Sequence, residues 1–266
     1  MRGIQSGVRP PQSKMRVKLM LRALKQGAEL PLNYQHAVAS FIYASLAAGS
    51  TEFASRLHDV GYRTDGRSFK LFTFSRLKTT KALVRADKLV LEDREISLQV
   101  SSPVGEFIEH FIAGLSWQSA LQIAGIDFDM VRAELVPPPI FHERMKFRAL
   151  SPITETTNGE REHPSFLTLT DDWSEIIQRN LMRKYQALHG WAPEDTRLVW
   201  AWNQSYIAKA ESRGSRLSVL ADVHGIKIRG WLAPFIVEGS RELIKLGYEA
   251  GFGARNSMGF GMAEVD

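Results

Sequence analysis

Five glycines fall within fifteen residues in the run GYEAGFGARNSMGFG, positions 247–261, of a 266-residue chain that holds 20 glycines in all. Glycine admits positive φ and lets the backbone approach a phosphate with no Cβ in the way. Successive backbone N–H groups in such a segment can form an anion-binding nest. Arg255, Asn256 and Ser257 add side-chain donors at its tip. The chemistry expected of Gly251, Gly253, Gly259 and Gly261 with these three residues is therefore a backbone-mediated phosphate grip, well suited to RNA. A dinucleotide or ATP loop is excluded by the spacing, by the helix that precedes the segment and by the few residues that follow it. A plain turn packing a helix against a last strand is the simpler alternative.

The charge distribution agrees with a polyanionic partner. The chain carries a net +5. Between Ser55 and Arg85 stand eight Lys/Arg (56, 63, 67, 70, 76, 78, 81, 85) against Asp59 and Asp65, a local net of +6. The sequence has no cysteine, which excludes disulfide frameworks, thiolate metal sites and cysteine nucleophiles and fits a reducing compartment. No run approaches the ~18 apolar residues of a membrane span, and the N-terminus lacks the apolar stretch of a signal peptide. A cytoplasmic location is expected. Residues 1–14, with three basic residues and a Pro-Pro pair, read as a flexible tail or as an overlong start ahead of Met15.

The elements that must position these residues follow from periodicity. Met15–Leu24 alternates as a strand. Pro31 and Asn33 lead into a helix whose stripe is Val38, Phe41, Ile42 and Leu46, ending at Gly49. Ser50 caps a second short helix with the stripe Phe53, Leu57 and Val60. Phe69–Leu77 reads as a strand, hairpin-like segments follow at Leu89–Leu91 and Glu95–Val100, and Pro103–Leu115 is an amphipathic helix before a further strand. After the prolines at 137–139 the order repeats: strand Lys146–Thr154, helix Asp172–His189, strands near Arg197–Ala208 and Asp222–Val237, a helix capped by Ser240, and a last strand Gly259–Val265. The fold class is α+β, two tandem ferredoxin-like (RRM-like) βαββαβ domains, at residues 15–138 and 139–266.

At this level of detail the chain resembles a known family. The glycine segment with its flanking helix and strand is similar to the C-terminal signature of the repeat-associated (RAMP) superfamily. The runs L-x-Y-Q-H, F-I-Y-A-S-L, E-F-A-S-R-L-H and F-K-L-F-T-F-S, with Ser151-Pro152, resemble its CRISPR repeat-RNA processing endoribonucleases. The resemblance implies CRISPR repeat RNA as partner and cleavage without metal or cofactor. The ribose 2′-OH is then the nucleophile, and the products are a 2′,3′-cyclic phosphate and a 5′-hydroxyl. It places the catalytic residues of the first domain on Tyr43, His58 and Lys70.

The side chains suit those roles. Tyr43 lies about 100° from Ile42 on its helix and so off the apolar stripe. His58 stands near a helix C-terminus, where the dipole suits a cation, and imidazole can move protons near neutrality. Lys70 would lend charge to the phosphorane. Acid and base roles between Tyr43 and His58 stay open. His36, at i, i+7 from Tyr43, is an alternative base. His142, His163, His189 and His224 lack metal-ligand spacing, so no metal site is expected. The alternative reading is a non-catalytic RNA-binding subunit of a guide-RNA effector complex. Such a complex, or a second copy of the chain, is a candidate partner.

Overall fold

The computed structural model describes residues 15–118, 120–157, 165–223 and 225–266. The tail expected at 1–14, and His163 and His224, lie outside the described residues. The first half opens with β1 (Arg16–Ala23), followed by α1 (Gln35–Gly49), α2 (Thr51–Asp59), β2 (Thr73–Phe74), β3 (Glu95–Ser101), α3 (Gly105–Trp117), β4 (Leu121–Ile123) and β5 (Ile126–Leu135). Its sheet runs β2-β3-β1-β5-β4, all pairings antiparallel. The second half comprises β6 (Arg144–Ala149), α4 (Ser174–His189), β7 (Leu198–Trp202), α5 (Gln204–Ser212), the hairpin β8 (Ser218–Val223) and β9 (Ile226–Trp231), β10 (Phe235–Gly239), α6 (Arg241–Ala250) and β11 (Ala263–Val265). Its sheet runs β7-β10-β6-β11. In both sheets the first and third strands of the βαββαβ repeat are central and the second and fourth flank them, which is the ferredoxin-like arrangement repeated in tandem.

Sequence alternation explains the strands. Val17, Leu19, Leu21 and Ala23 of β1 are buried under the helices while Lys18, Met20 and Arg22 take the other face. Helix α1 buries Val38, Phe41, Ile42 and Leu46. The Ser50 hydroxyl accepts from the Phe53 N–H at 3.2 Å, making the expected cap of α2. Helices α1 and α3 cross closely because both carry glycine at the contact. A Cβ on Gly114 would stand 1.7 Å from the Ser45 carbonyl oxygen, and one on Gly49 2.0 Å from that of His110. This crossing fixes the helix that carries Tyr43.

Several expected elements come out differently. Phe69–Leu77 is not one strand: Arg67–Phe69 ends a small hairpin, Leu71 has φ 49°, and only Thr73–Phe74 joins the sheet. The strand expected at Arg197–Ala208 stops at Trp202, because the Asn203 side chain accepts from the Tyr206 N–H at 3.0 Å and starts α5. The Asp222–Val237 segment divides among the end of β8, β9 and β10, and the final strand is confined to Ala263–Val265. Leu89–Leu91 and Glu95–Val100 enter different sheets: Lys88–Leu91 pairs with Glu29–Pro31 and Ala82–Arg85, while β3 pairs with β1 and β2.

The two halves are bolted together. Arg16 on β1 is 2% exposed, and its guanidinium donates to the carbonyls of Tyr248 at 2.8 Å and Ala263 at 2.9 Å while lying 3.8 Å over the Tyr248 ring. Burial lowers its pKa to about 10. The Thr73 hydroxyl donates to the Phe260 carbonyl at 2.9 Å. Because the α1–α3 crossing has no room for a methyl group, Gly114→Ala is expected to lower stability by ~1–3 kcal/mol, the usual cost of overpacking, read as a fall in the urea unfolding midpoint at unchanged m-value.

Candidate active site

A cleft of about 440 Å³ opens where the halves meet, lined by His36, Ser40 and Tyr43 of α1, His58 of α2, Lys70, and Val223, Ser257 and Met258 of the second half. The three residues proposed for catalysis from the sequence, separated by up to 27 positions, are thus neighbours. The Tyr43 ring meets the His58 ring edge-on at 5.3 Å between centroids and Phe72 edge-on at 5.6 Å. Burial pushes the Tyr43 phenol up to about 12, so near neutrality it is a proton-bearing donor. His58 is exposed, and its Nδ1 stands 2.9 Å from the Asp59 carboxylate, a contact that orients the ring. The Lys70 ammonium donates to the His58 backbone carbonyl at 2.5 Å. Burial draws the Lys70 pKa down and Arg63 does so further, while Asp59 opposes them.

The glycine segment is more internally committed than its sequence suggests. Gly251, Gly253, Gly259 and Gly261 are buried at φ between 71° and 91°, where a side chain would be strained. A Cβ would also collide: at Gly253 with the Thr154 carbonyl oxygen (2.6 Å), at Gly259 with the Phe74 ring (2.7 Å), and at Gly251 and Gly261 with the Asn256 amide (2.4 and 2.2 Å). Asn256 is buried and donates to the carbonyls of Phe252 and Phe260. The N–H groups of Phe252, Ala254, Met258, Gly259 and Gly261 all reach backbone carbonyls. What the segment offers outward is its tip: Arg255 is exposed, and Ser257 and Met258 face the cleft.

Sequence reasoning missed what holds the segment from beneath. Lys184 on α4, 2% exposed, donates to the carbonyls of Gly251 and Gly253 at 2.7 and 2.8 Å. Glu155, also buried, couples to it electrostatically and follows Thr154, whose carbonyl accepts the Ala254 N–H. Burial pushes the Glu155 carboxyl up and the Lys184 ammonium down, and each opposes the shift of the other by its charge. No signal marked Lys184, which sits in an ordinary polar helix run, MRKYQ. Ser151 and Pro152, the pair that follows the first strand of the second half, both clamp the segment's end. The Ser151 hydroxyl accepts from the Met262 N–H and the Pro152 carbonyl from the Gly261 N–H, each at 2.9 Å. A second cleft, about 860 Å³, takes Arg76 and Lys78 of the basic stretch together with Arg148 and Tyr206. Among the described residues no group of three or more His, Asp or Glu could hold a metal, and no helix is long and apolar enough to cross a membrane.

Tandem ferredoxin-like sheets, with a glycine segment after the last helix that faces a Tyr-His-Lys cleft, define a RAMP-type protein. Comparison with known proteins agrees. Residues 29–134 match the family described as CRISPR-associated protein Cas6, N-terminal, and residues 136–265 match CRISPR associated protein Cas6, C-terminal. The chain is 31% identical over 256 residues to CRISPR-associated endoribonuclease Cas6 1 of Methanocaldococcus jannaschii, covering 94% of this chain and 92% of that protein. It is 24% identical over 251 residues to CRISPR-associated endoribonuclease Cas6 of Pyrococcus furiosus, covering 94% and 89%. A solved structure of CRISPR associated protein Cas6 superposes with a TM-score of 0.74 at 30% identity, covering 95% of this chain and 99% of that one. A Cas6-related protein from Pyrococcus furiosus shares the fold, with a TM-score of 0.79 at 24% identity and coverage of 95% and 98%. The chain belongs to the Cas6 family.

Removing the Lys184 ammonium leaves the carbonyls of Gly251 and Gly253 without their donor and takes a favourable charge from the buried Glu155 carboxyl. Lys184→Met is expected to cost ~2–6 kcal/mol in denaturant unfolding, from two buried carbonyls left unsatisfied at ~1–3 kcal/mol each, and Glu155→Gln distinctly less because its amide stays polar.

Proposed function

We propose that the protein is a metal-independent endoribonuclease that cleaves CRISPR precursor RNA within the repeat to release guide RNAs. The observation that carries this reading is the convergence of Tyr43, His58 and Lys70 in one cleft with the tip of the glycine segment. A 2′-OH beside the scissile phosphate attacks phosphorus, its proton passes to a base, and the 5′-oxygen leaves with a proton. The products are a 2′,3′-cyclic phosphate and a 5′-hydroxyl. Such a reaction needs an acid, a base and a cation, and these three side chains supply them with no metal required.

His58 is the proton-transfer residue, its ring oriented through Nδ1 by Asp59. Tyr43, with its phenol at about 12, acts as a hydrogen-bond donor to the phosphate or the departing oxygen rather than as the base. Lys70 neutralises charge on the phosphorane. Arg255 and Ser257 contact the RNA backbone at the tip. Gly251, Gly253, Gly259, Gly261 and Asn256 hold that tip in shape. Arg76 and Lys78, in the second cleft beyond the buried residues 71–75, offer further positive charge for flanking RNA, so affinity falls with salt. The relative from Methanocaldococcus jannaschii is named as an endoribonuclease over nearly the same length, which supports the class of reaction.

The test is cleavage of the cognate repeat RNA in EDTA, with a deoxy substitution at the scissile ribose as control. Cleavage only on added metal would overturn the mechanism. Intact RNA under all conditions with unchanged affinity would favour an RNA-binding subunit of an effector complex. His58→Ala is expected to slow cleavage by ~10²-fold or more with binding little altered. Tyr43→Phe is expected to lower the rate without changing the shape of the pH–rate profile between about pH 6 and 9. A phenol at about 12 keeps its proton throughout that window. If Tyr43→Phe removed a limb of that profile, Tyr43 would be the titrating base.

A further inference from the structure

The kink between the small hairpin and β2 places one residue under unusual constraint. Leu71 has φ 49°, the left-handed region, which a bulky side chain occupies only where its surroundings over-determine it. Among the described residues, Asp65, Ala86, Arg94, Ala124 and Arg255 also have positive φ, but all of these are exposed or half-buried. Leu71 is 3% exposed.

Two contacts hold it. Its side chain packs with Leu246 and Ala250 of α6, in the second domain, with Tyr185 and Leu188 of α4 alongside. Its carbonyl accepts from the Ser102 hydroxyl at 2.8 Å, in the first domain. The residues on either side then diverge. Phe72 enters the core of the first domain, wholly buried and edge-on to Tyr43. Lys70 enters the cleft and reaches the His58 carbonyl. A regular strand would put residues 70 and 72 on the same face, which would send Lys70 toward the core beside Phe72. The left-handed residue between them breaks that alternation.

We propose that Leu71 is a positioning residue for Lys70. Its side chain, anchored against α6, fixes the kink that aims the ammonium at the scissile phosphate, so the second domain sets the geometry of chemistry carried by the first. This inference rests on the ribonuclease reading above.

The experiment uses the full chain. Single-turnover cleavage of repeat RNA is measured in EDTA, affinity is measured on the same RNA with a deoxy scissile ribose, and acetylation of Lys70 by an amine-reactive ester is followed by mass spectrometry. Leu71→Ala is expected to slow cleavage by about 10²-fold, the scale of a misplacement near 1 Å, with affinity for the uncleavable RNA unchanged and Lys70 acetylated faster. Leu71→Met, flexible and of similar volume, is expected to restore the rate. If Leu71→Ala does not fold, Leu246→Ala removes the anchor from the opposite side and is expected to act in the same direction on all three readouts. Wild-type cleavage and Lys70 labelling in these variants would overturn the proposal, as would rate and affinity falling together. Should the wild-type protein cut no repeat RNA, the ribonuclease reading falls by itself. Labelling then decides alone: faster acetylation in the variants supports the positioning role and unchanged acetylation refutes it.

Discussion

The dry junction between residues 71–74 of the first domain and residues 246–263 of the second is the contact on which the cleft depends. Leu71 lies against Leu246 and Ala250, the Thr73 hydroxyl holds the Phe260 carbonyl, and the Phe74 ring occupies the space a Cβ on Gly259 would need. Arg16 ties β1 to the same stretch of the second domain, through the carbonyls of Tyr248 and Ala263. Both domains line the cleft, so its shape depends on the relative placement of the halves. Packed interfaces of this kind transmit small displacements rather than absorbing them.

That dependence explains the polar groups retained in the interior. A buried lysine or arginine is costly unless its protons are matched. The Lys184 ammonium and the terminal Nη2 of Arg16 each donate to two backbone carbonyls of the α6–β11 region, the one beneath the glycine segment and the other across the domain boundary. Asn256 completes the set by closing the segment on itself. Glycine is required at 251, 253, 259 and 261 because each combines positive φ with a contact to Asn256, Thr154, Phe74 or Phe252 that leaves no space for a side chain. A segment that is rigid beneath and polar at its tip is a surface on which an RNA backbone can be held without first ordering a loop.

Much of this was legible in the chain. The alternation in β1, the Ser50 and Ser240 caps and the stripe of α1 are local signals, and local signals survive folding. The convergence of Tyr43, His58 and Lys70 came from motif resemblance, since no spacing rule brings a helix, a second helix and a broken strand together. The left-handed turn at Leu71 was not legible, because FKLFTFSRL reads as continuous strand and the kink is imposed by α6, nearly two hundred residues away. The same holds for Lys184, whose partners are carbonyls of glycines that any sequence presents alike. The segment Arg197–Ala208 was misread because Trp200 and Trp202 dominate the pattern while Asn203, a helix cap, is a single residue.

In the proposed reaction an internal 2′-hydroxyl, served by side chains from this interdomain cleft, breaks the RNA chain. End-group analysis by mass spectrometry of repeat RNA cut in the presence of EDTA tests it most directly. The account predicts a 2′,3′-cyclic phosphate on the upstream fragment and a 5′-hydroxyl on the downstream one. A 3′-hydroxyl paired with a 5′-phosphate, the mark of attack by an activated water, would contradict it.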